Sequence, residues 1–260
     1  MIYITGDTHA DFRRFNTRNF PEQKQLTKDD YVIVCGDFGL WDGSKREIHD
    51  IDWLDGKPYT TLFVSGNHSN YDMLDAMPVA EWHGGEVNYI RPSVIHLRRG
   101  QIYDIGGKRI FTFGGASSHD IEDGILDRSD IDFREKKKRL DDNNRYQYRI
   151  NHETWWAQEL PTQAEMDAGL ANLAAVGNKV DYIITHCAPD SLFAQLIDRK
   201  PVVDYLTTYL KKIHETVDYE RWYCGHYHIN RILDGGDNGD VIVVYDHILE
   251  TDAIIEEVLE

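Results

Sequence analysis

"YVIVCGD", Tyr31–Asp37, is an unbroken apolar run that stops at a glycine and a carboxylate. Apolar runs that end in polar residues recur in "IYITGD" (Ile2–Asp7), "TTLFVSGNH" (Thr60–His68), "DYIITH" (Asp181–His186) and "RWYCGH" (Arg221–His226), and four of the five have Gly directly before those residues. Short β-branched and aromatic runs without polar alternation are the pattern of strands buried on both faces. Helical spacing falls between them. Ser44–Leu54 has Ser44 as N-cap and Ile48, Ile51 and Leu54 as a stripe. Asn70–Met77 is a short helix. Pro161–Val176 carries Thr162 and Glu165 at capping-box spacing, a stripe of Met166, Leu170, Leu173 and Ala174, and Gly177 as a stop. Val203–Ile213 repeats Val203, Leu206, Leu210 and Ile213. Strands alternating with helices predict an α/β protein.

Antiparallel pieces join this core. "SVIHLRRG", "QIYDIGG" and "KRIFTFGG" (Ser93–Gly115) predict a meander with glycine at each turn, and Asn230–Asp246 predicts a hairpin. The expected architecture is two mixed β-sheets packed together and flanked by helices. Ser117–Leu160 breaks the pattern. It is polar, contains "REKKKRLDDNNRYQYR" (Arg134–Arg149), and predicts an insertion over one edge of a single domain spanning residues 1–260. Within it, "REKKKRLDD" predicts a solvated helix with i,i+4 ion pairs such as Glu135–Arg139.

The chain has 260 residues, 41% hydrophobic and 12% aromatic, which is a globular composition. No run reaches the roughly 18 apolar residues of a membrane span, and the N-terminus has no secretory pattern. A formal charge of −17 speaks against nucleic acid and anionic membranes as partners. Cys35, Cys187 and Cys224 form no CxxC and are odd in number, so we expect small buried residues at strand ends in a reducing cytoplasm.

The five runs end in metal-binding chemistry: Asp7 and His9, then Asp37, then Asn67 and His68, then His186, then His226 and His228. Any one of these is an ordinary turn residue. Together they are positioned to converge, because ligands in open α/β sheets bind beyond the carboxyl ends of the strands. Imidazole nitrogen, carboxylate and one amide oxygen suit Mn²⁺, Fe or Zn²⁺. Seven or eight ligands exceed one tetrahedral zinc and fit two ions sharing a carboxylate, a geometry that clamps phosphoryl groups and activates water.

The ordered motifs GD-x-H, GD, GNH, TH and GH-x-H resemble those of the calcineurin-like metallophosphoesterases, over Asp7 to His228. The resemblance implies a four-layer sandwich and two divalent ions, Mn²⁺ first, held by Asp7, His9 and His228 on one side and Asn67, His186 and His226 on the other, with Asp37 bridging. It further implies that His68 protonates or holds the leaving-group oxygen, and that a metal-bridging hydroxide attacks phosphorus. The chain departs from the protein Ser/Thr phosphatases of that family: "FGLW" follows Asp37 where they have an Asp-Arg pair, and Ser69 follows His68 where they have an acid. A small phosphorylated substrate, a phosphomonoester or nucleotide, is therefore expected. The alternatives are a phosphodiesterase or nuclease, or a non-catalytic scaffold of the same fold. Phosphate-binding cations must come from elsewhere, and Arg13, Arg14, Arg91 and Lys136–Arg139 are the candidates. "GGASSHD" (Gly114–Asp120) is a loop that offers Ser117, Ser118 or His119 to the rim.

Overall fold

The computed structural model describes residues 1–196 and 201–253. Its first sheet runs β15 (Ile248–Glu250), β1 (Ile2–Thr5), β2 (Tyr31–Val34), β3 (Thr60–Phe63), β6 (Val94–Leu97), β5 (Gly85–Arg91) and β4 (Val79–Trp82). Its second runs β13 (Arg231–Leu233), β14 (Val241–Val243), β12 (Arg221–Cys224), β11 (Tyr182–Thr185), β8 (Lys108–Phe113) and β7 (Gln101–Ile105). Each sheet mixes parallel and antiparallel pairs. All five apolar runs are strands, four residues each.

Period-two alternation sorts their side chains into layers. Ile2, Ile4, Tyr31 and Ile33 meet Tyr182, Ile184 and Tyr223 in the core between the sheets. Tyr3, Val32 and Val34 point outward, to Ile51 and Leu54 of α1 (Lys45–Asp55) and Leu74 of α2 (Tyr71–Asp75). On the far side, Ile183, Trp222 and Cys224 pack with Met166 and Leu173 of α4 (Gln163–Ala175) and with Leu206, Leu210 and Ile213 of α5 (Tyr205–Thr216). The result is helix, sheet, sheet, helix. The three cysteines are buried thiols.

Local chemistry sets the helix ends. Ser44 and Asn70 cap α1 and α2, and Thr162 and Glu165 form the reciprocal capping box of α4. Three predicted stripes are narrower than expected. Ile48 and Ala174 are exposed, and Val203 lies outside α5 because Asp204 caps it and starts the helix at Tyr205.

The predicted meander is not one sheet. β6 belongs to the first sheet, whereas β7 and β8 belong to the second, and Arg98–Gly100 carries the chain across. Alternation in both sheets is equally apolar here, so hydropathy does not reveal the change. The hairpin of β13 and β14 forms as expected, and β14 also pairs in parallel with β12.

The 117–160 segment builds its own small structure. β9 (Gly124–Leu126) and β10 (Tyr148–Ile150) pair in parallel, and α3 (Phe133–Asp142) covers them through Leu126, Phe133 and Leu140. The three lysines of α3 are held by acids on or next to the helix. Lys136 pairs with Asp132, Lys137 with Asp141 and Lys138 with Asp142. These i,i+4 pairs replace the expected Glu135–Arg139 pairing.

Candidate metal centre

In-register parallel pairing brings the strand ends level. Thr5 sits opposite Val34, and Val34 opposite Phe63, so the residues that follow leave the first sheet at one edge. In the second sheet Ile184 sits opposite Tyr223, which delivers His186 and His226 together. The two edges face each other, and all eight predicted residues meet there.

His9 Nε2 and His228 Nε2 are 3.0 Å apart, and His228 Nε2 is 3.1 Å from Asp7 Oδ2. Deeper, His186 Nε2 lies 3.2 Å from Asn67 Oδ1 and 3.4 Å from Asp37 Oδ2. That same Asp37 oxygen is 3.9 Å from His9 Nε2. The His226 ring is 5.0 Å from that of His186, and the backbone N–H of His226 donates to both Asp7 oxygens at 2.9 and 3.2 Å. Two overlapping groups of possible ligands result: Asp7, His9 and His228, and Asp7, Asp37 and His186. His68 stands beside them. Its ring is 5.5 Å from that of His9, and its backbone N–H donates to Asp37 Oδ1 at 2.8 Å.

Backbone conformation aims these side chains. His9, Asp37, His226 and His228 have φ of 45°, 42°, 70° and 51°. A non-glycine residue in this left-handed region costs on the order of 1 kcal/mol or more, and such strain clusters at functional sites. The preceding glycines have a separate role. A Cβ on Gly66 would overlap Asp37 Oδ1, and one on Gly225 would overlap Asp7 Oδ1. Gly66 leaves room for a carboxylate from the neighbouring strand, and Gly225 for one from the facing sheet.

Electrostatics show what this cluster accepts. Burial alone would depress His186, yet Asp37 and Asp7 reverse that and raise it to about 9. The two carboxylates thus call for positive charge where His186 Nε2 meets Asp37. His186 Nδ1 donates to the Cys35 carbonyl at 2.8 Å, which leaves Nε2 as the nitrogen facing the cluster. Burial lowers His226 to about 3 and also lowers His9 and His68, so these imidazoles offer neutral lone pairs at neutral pH. Neutral imidazoles around buried carboxylates form a donor set that fits divalent cations.

The predicted cations divide. Arg14 is structural, donating to Thr5 Oγ1, to the Asp7 carbonyl and to the Tyr245 carbonyl beneath the site. Arg91 is paired with Asp52, and Lys136–Lys138 with the acids around α3. Arg13 shares a groove with His9 and is paired with Asp11. Ser117 donates to Asp204, and Ser118 to the buried Glu159. Only His119 of that loop reaches the cluster, its ring 5.9 Å from His226. Arg149 was not among the predicted candidates. It is the middle residue of β10, is held by Asp120 next to His119, and its charge acts on both His68 and Asp37. Nothing in a run of alternating charges marks which cation turns inward. Tyr245 was also missed; it stacks on His228 at 4.8 Å.

Comparison with known proteins identifies the family. Lariat debranching enzyme of Drosophila pseudoobscura pseudoobscura is 26% identical over 141 residues, covering 46% of this chain and 24% of that protein. Lariat debranching enzyme A of Xenopus laevis is 25% identical over 144 residues, covering 49% and 26%. The matched part thus spans about a quarter of the length of these curated relatives. The family model described as calcineurin-like phosphoesterase matches residues 1–230. With this match joined to the two-sheet fold, the chain belongs to the calcineurin-like phosphoesterase family.

Proposed function

We propose that this enzyme hydrolyses a small phosphorylated substrate, a phosphomonoester or nucleotide, at a centre for two divalent ions. Asp7, His9 and His228 would hold one ion, and Asn67, His186 and His226 the other. The observation that carries this reading is Asp37 Oδ2, which lies 3.9 Å from a nitrogen of the first set and 3.4 Å from a nitrogen of the second. Bound there, two cations would supply Lewis-acid charge to phosphoryl oxygens and lower the pKa of water. Mn²⁺ is the first choice for this mixed N/O donor set, with Fe and Zn²⁺ behind it.

The protein's own groups do the rest. His68 is beside His9 and is positioned to hydrogen-bond the leaving-group oxygen. Arg149, with its charge acting on Asp37 and His68, supplies the phosphate contact that "FGLW" lacks. The net charge of −17 and the buried thiols support a cytoplasmic enzyme with a small-molecule substrate rather than nucleic acid. The names of the debranching relatives favour a second reading, in which the scissile bond is a phosphodiester.

One experiment separates these readings. Metal content is measured on protein purified without chelator, alongside hydrolysis of phenyl phosphate, a phenyl phosphodiester and a nucleotide panel with Mn²⁺. Two ions per chain and a preference for monoesters are expected. A single ion in a fully active preparation would end the two-ion reading, and turnover of the diester alone would replace the monoester reading with the second.

A further inference from the structure

From the groove of about 820 Å³ that opens beside His9, we propose that this enzyme binds a nucleoside as the organic part of its ester, stacked on Trp41. This rests on the phosphoesterase reading above and narrows its substrate class. The volume lies within the range of small-ligand pockets. His9 lines the groove and also belongs to the metal-binding cluster, so an ester with phosphorus at the cluster extends into it.

Trp41 is built into place. Its indole Nε1–H donates to the His68 carbonyl at 2.9 Å. Its backbone N–H donates to Glu47 Oε2 at 2.6 Å, and the same buried carboxylate accepts from the N–H groups of Asp42 and Gly43. Asn70 Nδ2 donates to its carbonyl. Despite this anchoring, the Trp41 residue is 40% exposed. A second tryptophan, Trp53 of α1, lines the same groove and is 39% exposed, with Lys57 Nζ 3.5 Å from its ring centroid. Single exposed apolar residues are common on protein surfaces. Two indoles on one groove, one of them hydrogen-bonded to the residue at the reacting centre, make a pre-organised stacking platform. Such a surface binds a nucleobase at little entropic cost.

The groove's cations favour a nucleoside over further phosphates. Arg13 is paired with Asp11, and Arg46 lies 3.7 Å from Asp50. Their charge is already matched, so the groove presents an aromatic body with polar edges rather than a second anion site.

The test compares Trp41→Ala and Trp41→Phe with the native protein on adenosine 5′-monophosphate and on glycerol 1-phosphate, which cannot stack. Trp41→Ala should lower the ratio of kcat/KM for the nucleotide over glycerol phosphate by about tenfold or more, mainly through KM. Trp41→Phe keeps a ring but loses the bond to the His68 carbonyl, and should hold that ratio. The ratio does not depend on the fraction of protein that folds. An equal loss on both esters in Trp41→Ala would mean that Trp41 only supports His68, and an unchanged ratio would likewise overturn the proposal. If neither ester is turned over, the monoester reading fails on its own, and adenosine decides the groove. Added to metal-depleted protein, adenosine should quench indole fluorescence saturably, with most of the quench lost in Trp41→Phe. No saturable quench, or one that survives in Trp41→Phe, overturns it.

Discussion

His68 is tied to the centre through its backbone and not its ring: its N–H bonds Asp37, and its carbonyl accepts from Trp41. Truncating the ring therefore leaves the metal-facing groups in place. His68→Ala should retain both ions and slow turnover by roughly 10²–10⁴, the scale of a lost general acid. Elemental analysis beside kcat tests this, and loss of metal from the variant would contradict the role given to His68. A second histidine predicts behaviour away from the site. His96 is buried on β6, bonded to Asn88 Oδ1 at 3.0 Å, with no partner for Nε2 among the described residues. Burial lowers its pKa to about 3, well below the ordinary value near 6.5. The unfolded chain then takes up a proton near pH 6.5 that the folded chain refuses until about pH 3. The His96 contribution is thus complete above pH 6.5 and is lost progressively down to about pH 3. His96→Gln should flatten the fall of Tm between pH 6 and pH 4, measured by calorimetry; an unchanged slope would mean that other groups carry it. At this scale the sequence was readable where residue type and position coincide, as in Asp37 after a buried strand. It was not readable where direction decides, as with Arg149, whose inward turn depends on Asp120 nearly thirty residues away in sequence.

At the scale of elements, the five apolar strands were legible because burial on both faces leaves no polar alternation to blur them. The passage from β6 to β7 was not, because Arg98–Gly100 has the look of a hairpin turn but spans two sheets. Arg99 explains why the passage is well defined. Its guanidinium donates to the Gly114, Gln158 and Glu159 carbonyls and to Tyr71 Oη. It thereby ties the inter-sheet linker to the exit of the 117–160 segment. That segment is also fastened to α2, where Asp72 accepts from Trp156 Nε1 and contacts His152 Nδ1 at 2.8 Å. So held, it can deliver one side chain accurately while its helix stays in solvent. Arg149→Ala should raise KM several-fold for every phosphoester in the panel. Lys136→Glu, which disturbs only solvent-screened surface pairs, should leave KM within twofold. Steady-state kinetics on both variants distinguish the two cations, and an equal rise in KM would return the substrate contact to α3.

Across the whole molecule, the candidate ligands are divided between the sheets. Asp7, His9, Asp37 and Asn67 follow strands of the first, and His186, His226 and His228 follow strands of the second. Ions held by both would tie the two sheets together as well as serve chemistry. An ion present at about a hundred times its Kd adds about 2.7 kcal/mol of stability, which is about 5–10 °C in Tm for a chain of this size. Calorimetry with EDTA and then with excess Mn²⁺ reads this, and superimposable transitions would argue against a centre shared by the sheets. The order of the strands has one more consequence, for the chain as it leaves the ribosome. β1 is made long before β15, which fills one of its two edges, with Tyr3 paired to Glu250. Until Ile248–Glu250 has been synthesised, β1 offers an open row of amides and carbonyls to any passing strand. A ribosome stalled before Ile248 would therefore hold a nascent chain poised to aggregate or to recruit a chaperone, even with most of both sheets already made.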